Sequence, residues 1–550
     1  VITFADASAV IPQVEETYAY YWSEVRCEGG ISFADGFVNE FGVAVVSNAC
    51  RPSKDATGSH TDNRDAYGIG YGIRRLVAER AKTAREGVQV IAQLVEQFGY
   101  FSSRSYQVVD KDEAWVVQVP KGFNIVAQRV GDDEVYYIPN WYTIHKIDLN
   151  DKDNFYASPN LIPHAIQQGW YTPAVEGDWS DFDFALTYQE GAKKQYNLYR
   201  ARNAWRILKG IELGEDEITP FSMKADKKYS ADDLKQVMRC HYLGTSDDET
   251  EGLKKNPHRG YYSPLTICNP MTVESIIVEF NEDINLTRML RAAPKGCVSP
   301  YTPWYPVALT RIPKGYNWMS PQASQAAHFF VDNEELVYNP EKAFWAFKVL
   351  LYFTEFDYKG THKVIEEEIA KLEKAWEVEK DAIEGAYKAL KAVDENAAKE
   401  YLTQYTCAQA QKSWDWAHYM ISKLGEARIM DNCKVWNDEN EFGEVGIDGG
   451  FLKDAGIEIT EMNSGCICCS LVGDFATNLN EVITKYHPDR ILIEPSGVGK
   501  LSDVMKSVID IEKEQDVKLN ALVTVVNAVK AKKQMKAFGE FFNNQIEHAT

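Results

Sequence analysis

The sequence has 550 residues, of which 45% are apolar and 25% charged, and its net charge is −22. This length predicts roughly three to four domains, and the ordinary apolar share excludes a wholly disordered or collagen-like chain. Because an acidic surface repels phosphate groups, nucleic acid and anionic membranes are not expected as partners.

The sequence predicts neither a membrane span nor a signal peptide. Its longest apolar run, 343–353, is short and interrupted by Lys348, whereas a spanning helix needs about 20 apolar residues. The first 30 residues contain several acidic side chains and no apolar core of a signal peptide. We therefore expect a cytoplasmic protein. Residue 1 is Val rather than Met, and we expect the N-terminus to be processed or incomplete.

The first 310 or so residues favour antiparallel strands with helices between them. Residues 36–48 predict a strand pair around a tight turn at 39–42. Residues 73–98 predict an amphipathic helix pair, because apolar side chains recur there at helical spacing. Residues 105–119 and 124–130 alternate like antiparallel strands. The whole is typical of an α+β layered domain rather than a doubly wound sheet.

Residues 361–424 contain one glycine and no proline, and they predict a long helical segment. Its predicted buried stripe is formed by Ile365, Ile369, Leu372, Val378, Ile383, Tyr387 and Leu390. After residue 430 the pattern changes to short buried strands of a parallel sheet, predicted at 456–460, 490–494 and 521–526. All but one of the 30 tyrosines precede residue 430, so we place a junction at 425–435.

The ten cysteines are too few for a disulfide scaffold. Three of them, Cys466, Cys468 and Cys469, can supply most of a tetrahedral soft-metal site, for which Zn²⁺ is the default ion. A fourth ligand must come from elsewhere, and the alternative is that the three are buried apolar residues. The others are scattered and are interpreted as small buried apolar residues: Cys27, Cys50, Cys240, Cys268, Cys297, Cys407 and Cys433. The ten histidines are isolated along the sequence, and His145 and His164 are interpreted as structural.

An ordered series of motifs covers about residues 10–425. It runs through Ile11-Pro-Gln-Val14, the segment 17–24, Asp35-Gly-Phe-Val-Asn-Glu-Phe-Gly-Val43, the segment 68–85, the segment 110–115 and Ile138-Pro-Asn140. This series resembles the cysteine dipeptidases of the N-terminal-nucleophile hydrolase superfamily. The resemblance implies a four-layer αββα core that cleaves dipeptide amide bonds through a covalent thioester. It implies dipeptide substrates and no cofactor for this part of the chain.

In that family the nucleophile is a cysteine at the start of the mature chain. Its free α-amine, with a pKa near 8, takes the thiol proton, and hydrogen-bond donors stabilise the oxyanion. The family's opening cysteine belongs upstream of Ile11, where this sequence has none, since Cys27 is the first cysteine. Neither Cys27 nor Cys50 offers a free α-amine. We therefore expect the nucleophile to lie upstream of Val1 and the chain that begins at Val1 to be inactive.

Two asparagines are matched by motif to catalytic positions of that family. The resemblance implies that Asn48 supplies an oxyanion-hole side chain and that Asn140 positions the tetrahedral intermediate. An amide NH2 suits this task because it donates hydrogen bonds without titrating. The alternative is that each asparagine only caps a strand end or a turn.

The C-terminal part, about 433–550, resembles the CobW/HypB/UreG group of metal-trafficking GTPases. The resemblance is based on the acidic segment 439–449, the cysteine group and Ile491-Leu-Ile-Glu-Pro-Ser-Gly497. It implies that Glu494 acts near Mg²⁺ or the hydrolytic water. A P-loop needs Gly-x4-Gly-Lys-Ser/Thr, and Gly499-Lys500 fits neither the first glycine nor the last position. GTP binding is therefore not expected.

The predicted fold class is α+β, with a partial α/β P-loop-NTPase-like segment at the C-terminus. The predicted domains are a hydrolase core at 1–325, its helical extension at 326–428 and the GTPase-like segment at 429–550. The predicted function is dipeptide hydrolysis, and the alternative is a zinc-binding GTPase or metallochaperone of the CobW type, acting through the C-terminal segment. A folded remnant without either activity is the third hypothesis. Whether the chain is a gene fusion or an incomplete reading frame stays open.

Overall fold

The computed structural model describes residues 1–4, 7–22, 36–50, 54, 68–70, 72–190, 195–215, 217–248, 256–258, 266–316, 337–433, 479–480, 483–484, 487, 491, 493, 501–513, 515–524 and 539–549. The chain divides into two compact units, Val1–Gly425 and Glu426–Thr550, and each is described by itself. The domain bounds given above stay predictions.

Within the described residues of the first unit, the strands form three antiparallel sheets. In chain order they are β1 (Tyr20–Trp22), β2 (Phe37–Asn39), β3 (Ala44–Ala49), β4 (Arg104–Val109), β5 (Ala114–Val119), β6 (Val126–Arg129), β7 (Glu134–Tyr136), β8 (Phe155–Ala157), β9 (Ser222–Lys224), β10 (Ser275–Glu279), β11 (Arg288–Ala292) and β12 (Thr302–Trp304). The main sheet has the order β1-β2-β3-β4-β5-β6-β8, and two small sheets pair β10-β11-β12 and β7-β9.

The strand predictions for residues 36–130 are confirmed. The predicted pair at 36–48 corresponds to β2 and β3, and Gly42 in their turn has φ 78°, a left-handed conformation that favours glycine. The alternating segments 105–119 and 124–130 correspond to β4, β5 and β6. Short turns between neighbouring strands make these antiparallel pairings local, which explains why the sequence pattern identifies them.

Both units contain helices. They are α1 (Ile73–Arg80), α2 (Ala84–Phe98), α3 (Leu161–Gln167), α4 (Phe184–Tyr188), α5 (Gln195–Lys209), α6 (Ala231–Met238), α7 (Ala343–Phe356), α8 (Tyr358–Lys391), α9 (Glu395–Cys433), α10 (Leu501–Ile511) and α11 (Gly539–Glu547). The predicted helix pair at 73–98 is confirmed as α1 and α2. The Thr83 side chain caps α2 by accepting a hydrogen bond from the Glu86 N–H at 3.1 Å. No helix among the described residues is long and apolar enough to cross a membrane.

The main sheet is buried on both faces. Side chains alternate along β5, so that Trp115 and Val117 pack with α1 and α2, whereas Val116 packs on the opposite side with Tyr142 and Phe184. Helices α3 and α4 contribute to this second cluster. The α+β class is confirmed, and the four-layer arrangement stays a prediction. The end of β3, at 47–49, is only half-buried.

The long helical segment is confirmed, but it is divided into α8 and α9. Residues 392–394 separate the two helices, and the Asp394 carboxylate accepts hydrogen bonds from the next N–H groups at 396 and 397. The predicted buried stripe is wrong at Val378, which is 76% exposed, and at Leu390 near the end of the helix, which is 37% exposed. Trp376 is buried instead and donates a hydrogen bond to Gln409 Oε1 at 2.7 Å. Residues two positions apart point to nearly opposite sides of a helix, so only one of this pair can face the core.

The second unit contains α10 and α11. Its described apolar cluster consists of Leu479, Ile483, Val508 and Ile511. The described residues 491, 493 and 521–524 are not in strands, so the strands predicted there are wrong at these positions. Instead of pairing with a strand, Thr524 donates its hydroxyl hydrogen to the Gln545 carbonyl oxygen of α11 at 2.6 Å. The predicted strand 456–460 lies outside the described residues.

Candidate active site

Asn48 lies near the C-terminal end of β3, opposite Ser105 of β4. Its Nδ2 donates a hydrogen bond to the Pro139 carbonyl oxygen at 2.7 Å, and its Oδ1 accepts one from Gln107 Nε2 at 3.0 Å. The side chain is half-buried. Sheet pairing thus fixes the backbone of Asn48, and the two hydrogen bonds fix the orientation of its amide.

Asn140 is brought against the same strand end from a distant part of the chain. Its Nδ2 donates a hydrogen bond to the Ala49 carbonyl oxygen at 2.6 Å. The backbone carbonyl oxygen of Asn140 accepts a hydrogen bond from Asn197 Nδ2 of α5 at 3.1 Å. The structure therefore brings the two sequence-predicted asparagines together. An amide NH2 carries two hydrogens, and each of these NH2 groups makes one hydrogen bond within the described residues. A second hydrogen on each is suited to a substrate oxygen.

Two further side chains support this arrangement from α5. Asn197 is fully buried, and its Oδ1 accepts a hydrogen bond from Arg200 at 2.9 Å. The guanidinium of Arg200 thereby places a permanent positive charge next to Asn197, the residue that holds the backbone of Asn140. Sequence reasoning missed both residues, because nothing in the spacing of α5 relates them to residue 140.

Gln118 was also missed, although the sequence carries a signal for it. It is the polar residue inside the apolar run of β5, and it is fully buried. Its Nε2 donates to Ser105 Oγ at 3.1 Å and to Thr143 Oγ1 at 3.2 Å, and its Oε1 accepts from the N–H groups of Thr143 and Ile144. A buried amide with every group satisfied fixes the segment that follows Asn140.

Cys50 is the described cysteine nearest to Asn48 in the chain, and it is unsuited to be a nucleophile. Its side chain is buried, and its Sγ lies 3.1 Å from Ser105 Oγ. Burial raises the pKa of the thiol to about 12, so the reactive thiolate is scarce at neutral pH. This agrees with the sequence-based argument against Cys50.

The C-terminal candidates cannot be placed. Cys466, Cys468, Cys469 and Glu494 all lie outside the described residues.

A different group of metal-ligand side chains lies in the first unit, where His241, His258, Cys268 and Cys297 have ligand atoms within 4.8 Å of one another. No cofactor was expected for this unit, yet the group could hold a metal ion. Cys268 and Cys297 are scattered in the sequence but not in space, since their sulfur atoms lie 3.4 Å apart.

Comparison with known proteins identifies the first unit as part of a peptidase. A family model described as peptidase family C69 matches residues 65–371, more than half of the chain. The chain belongs to peptidase family C69. A second model, the nucleotide-binding domain of CobW/HypB/UreG, matches residues 436–550. Both resemblances inferred from the motifs are thereby confirmed.

Several curated proteins are similar to the chain. A probable dipeptidase B of Streptococcus pyogenes serotype M1 is 24% identical over 437 residues, which cover 75% of this chain and 81% of that protein. A probable dipeptidase of Salmonella dublin is 27% identical over 182 residues, covering 32% of this chain and 41% of that protein. A probable dipeptidase of Latilactobacillus sakei is 30% identical over 175 residues, covering 32% and 36%.

Proposed function

We propose that the chain is a dipeptidase that uses the thiol of an N-terminal cysteine, placed upstream of Val1, as its nucleophile. The observation that supports this most strongly is membership of peptidase family C69, together with similarity to probable dipeptidases. The proposed core is the four-layer αββα arrangement of N-terminal-nucleophile hydrolases, in which the main sheet of this chain is one of the two inner layers.

The proposed reaction has two steps. The α-amine of the N-terminal cysteine takes the thiol proton, and the thiolate sulfur bonds to the carbonyl carbon of the peptide. The C–N bond then breaks, the leaving amine takes up the proton, and a thioester remains. Water attacks the thioester, which releases the acid and restores the thiol. In both steps the carbonyl oxygen becomes an oxyanion, for which Asn48 and Asn140 are the proposed donors.

The test compares dipeptide hydrolysis by two proteins: the form with its natural upstream segment, and the chain that begins at Val1. The proposal expects amino-acid release from alanyl-alanine by the first protein only. It also expects loss of that activity when the N-terminal thiol is alkylated. Equal activity of both proteins would refute the upstream nucleophile, and inactivity of an extended, folded form with an N-terminal cysteine would refute the peptidase function.

The second candidate function concerns the C-terminal unit and is favoured by the match to the CobW/HypB/UreG domain over 436–550. We propose that Cys466, Cys468 and Cys469 bind Zn²⁺, whereas GTP binding is not expected without a P-loop. The test is zinc content before and after Cys468→Ser, with a GTP titration in parallel. Unchanged zinc content in the Cys468→Ser chain would contradict this candidate.

A further inference from the structure

Four metal-ligand side chains from separate parts of the first unit converge on one point. His241 follows α6, His258 lies in the described segment 256–258, Cys268 precedes β10, and Cys297 lies between β11 and β12. Both histidines and Cys268 are at most 6% exposed. Their ligand atoms lie within 4.8 Å of one another. Burying two imidazoles and two thiols together costs free energy, because each polar group loses its contact with water, so a compensating interaction is expected.

The distances between these atoms are close to, and in part shorter than, those around a tetrahedral zinc ion. Zinc lies about 2.3 Å from sulfur and about 2.0–2.1 Å from nitrogen, so tetrahedral angles put sulfur atoms about 3.8 Å apart and nitrogen atoms about 3.3 Å apart. The observed separations are 3.4 Å for the two sulfurs and 3.1 Å for the two Nε2 atoms. His258 Nε2 lies 3.6 Å from Cys268 Sγ and 3.4 Å from Cys297 Sγ.

Oxygen atoms of α7 and α8 lie near the outer nitrogens of the two imidazoles. His241 Nδ1 lies 2.9 Å from the hydroxyl of Tyr358, at the start of α8. His258 Nδ1 is buried and makes no hydrogen bond among the described residues, but the Glu355 carboxylate lies 3.8 Å away. A ligating histidine carries its proton on the outer nitrogen and directs it to an oxygen acceptor. Tyr358 lies within hydrogen-bond distance of His241, and Glu355 lies near His258 but beyond that distance.

We propose that His241, His258, Cys268 and Cys297 form a structural Zn²⁺ site. The Cys2His2 set suits zinc because thiolate and imidazole are its preferred ligands in a closed four-coordinate site. All four positions are filled by protein, which leaves no position for a substrate and separates this site from the proposed peptidase chemistry. The ion joins the end of α6 to the loops that flank β10 and β11, and through Tyr358 it reaches α8.

The test uses the full chain with Cys466, Cys468 and Cys469 all replaced by serine, so that any zinc of the C-terminal unit is removed. Elemental analysis after gel filtration is expected to give about one Zn²⁺ per chain, the capacity of a single closed site. Cys268→Ser and Cys297→Ser are each expected to remove most of that zinc. The matched control is Cys407→Ser, a half-buried cysteine of α9 outside the cluster, which should leave the zinc content unchanged.

X-ray absorption at the zinc edge of the same parent chain tests the ligands without disturbing the site. The proposal expects two sulfur neighbours at about 2.3 Å and two nitrogen neighbours at about 2.0–2.1 Å. This measurement decides the matter if the Cys268→Ser and Cys297→Ser chains fail to fold. Absence of zinc from the parent chain, a different ligand set, or a Cys268–Cys297 disulfide found by non-reducing peptide mapping would overturn the proposal.

Discussion

Asn48 and Asn140 each donate a hydrogen bond to the backbone carbonyl of the residue next to the other. Asn48 Nδ2 bonds to Pro139 O at 2.7 Å, and Asn140 Nδ2 bonds to Ala49 O at 2.6 Å. This reciprocal pair joins the end of β3 to the segment before Tyr142. It uses one hydrogen of each amide for a structural role, and the proposed catalytic role uses the other.

The catalytic role predicts a loss of turnover in Asn140→Ala and in Asn48→Ala. Removing one oxyanion donor costs about 100- to 1000-fold in kcat, with a much smaller change in KM. Loss of one hydrogen bond alone costs only about 1 kcal/mol of stability. Kinetics on alanyl-alanine with the extended protein measure the first effect, and urea unfolding measures the second. Asn160→Ala, at an exposed position, is the control. An unchanged kcat in Asn48→Ala and in Asn140→Ala would leave only the structural role.

Gln118→Leu is expected to destabilise the first unit. The substitution leaves the buried N–H groups of Thr143 and Ile144 without their acceptor, and each unsatisfied group costs about 1–3 kcal/mol. The free energy of unfolding from urea titration measures the loss. Gln93→Leu, on the exposed face of α2, is the matched control. A Gln118→Leu chain as stable as this control would show that the amide does not hold the segment.

Two glycine-to-alanine substitutions in helices are expected to have opposite effects. A Cβ at Gly87 of α2 would meet Val108 Cγ1 at 2.7 Å and Val77 Cγ1 at 3.0 Å, whereas a Cβ at Gly385 of α8 meets nothing within 4 Å. Gly385→Ala should therefore stabilise by about 0.5–1 kcal/mol through helix propensity. Gly87→Ala should destabilise by about 1–3 kcal/mol through overpacking. Thermal and urea unfolding of the two variants check the signs, and stabilisation by Gly87→Ala would contradict the close contact of α2 with β4.

The carboxyl group of Asp183 is expected to make a pH-dependent contribution to the stability of the first unit. Burial acts to raise the pKa of this carboxyl, but hydrogen bonds from His145 Nδ1 at 2.9 Å and from the Leu186 N–H hold the pKa below its ordinary value. A carboxyl whose folded pKa is lowered stabilises the fold above the unfolded pKa, about 4, and loses that contribution as the pH falls through the folded pKa.

Asp183→Asn should therefore be less stable than the parent chain at pH 7, and the difference should shrink as the pH falls below about 4. Urea unfolding at a series of pH values measures it. Asp381→Asn, at an exposed position of α8, serves as the comparison. A stability difference that grows toward low pH would have the wrong sign for this explanation.

The sequence predicted the local parts of the fold well. Strands β2 to β6 and helices α1 and α2 were found because short turns and periodic apolar residues define them within a few tens of residues. The prediction for Val378 failed because, at 3.6 residues per turn, Val378 lies on the face opposite to Ile365. Trp376 lies on the same face as Ile365 and donates its hydrogen bond to Gln409 there.

The site was predictable only in part. Asn48 and Asn140 were identified by family resemblance, since no spacing rule relates residues so far apart. The cluster of His241, His258, Cys268 and Cys297 was missed because its members come from four segments, none of which has the short ligand spacing of a zinc motif. Their proximity is a property of the tertiary structure, and no local pattern encodes it.

The most direct test of the peptidase account is made on protein purified from its source cells. Its N-terminal residue and its hydrolysis of alanyl-alanine are measured on the same sample, before and after alkylation of the N-terminal thiol. The account predicts an N-terminal cysteine, release of alanine, and loss of that activity on alkylation. Hydrolysis by a protein that begins with any other residue, or no hydrolysis by a folded protein that begins with cysteine, would contradict it.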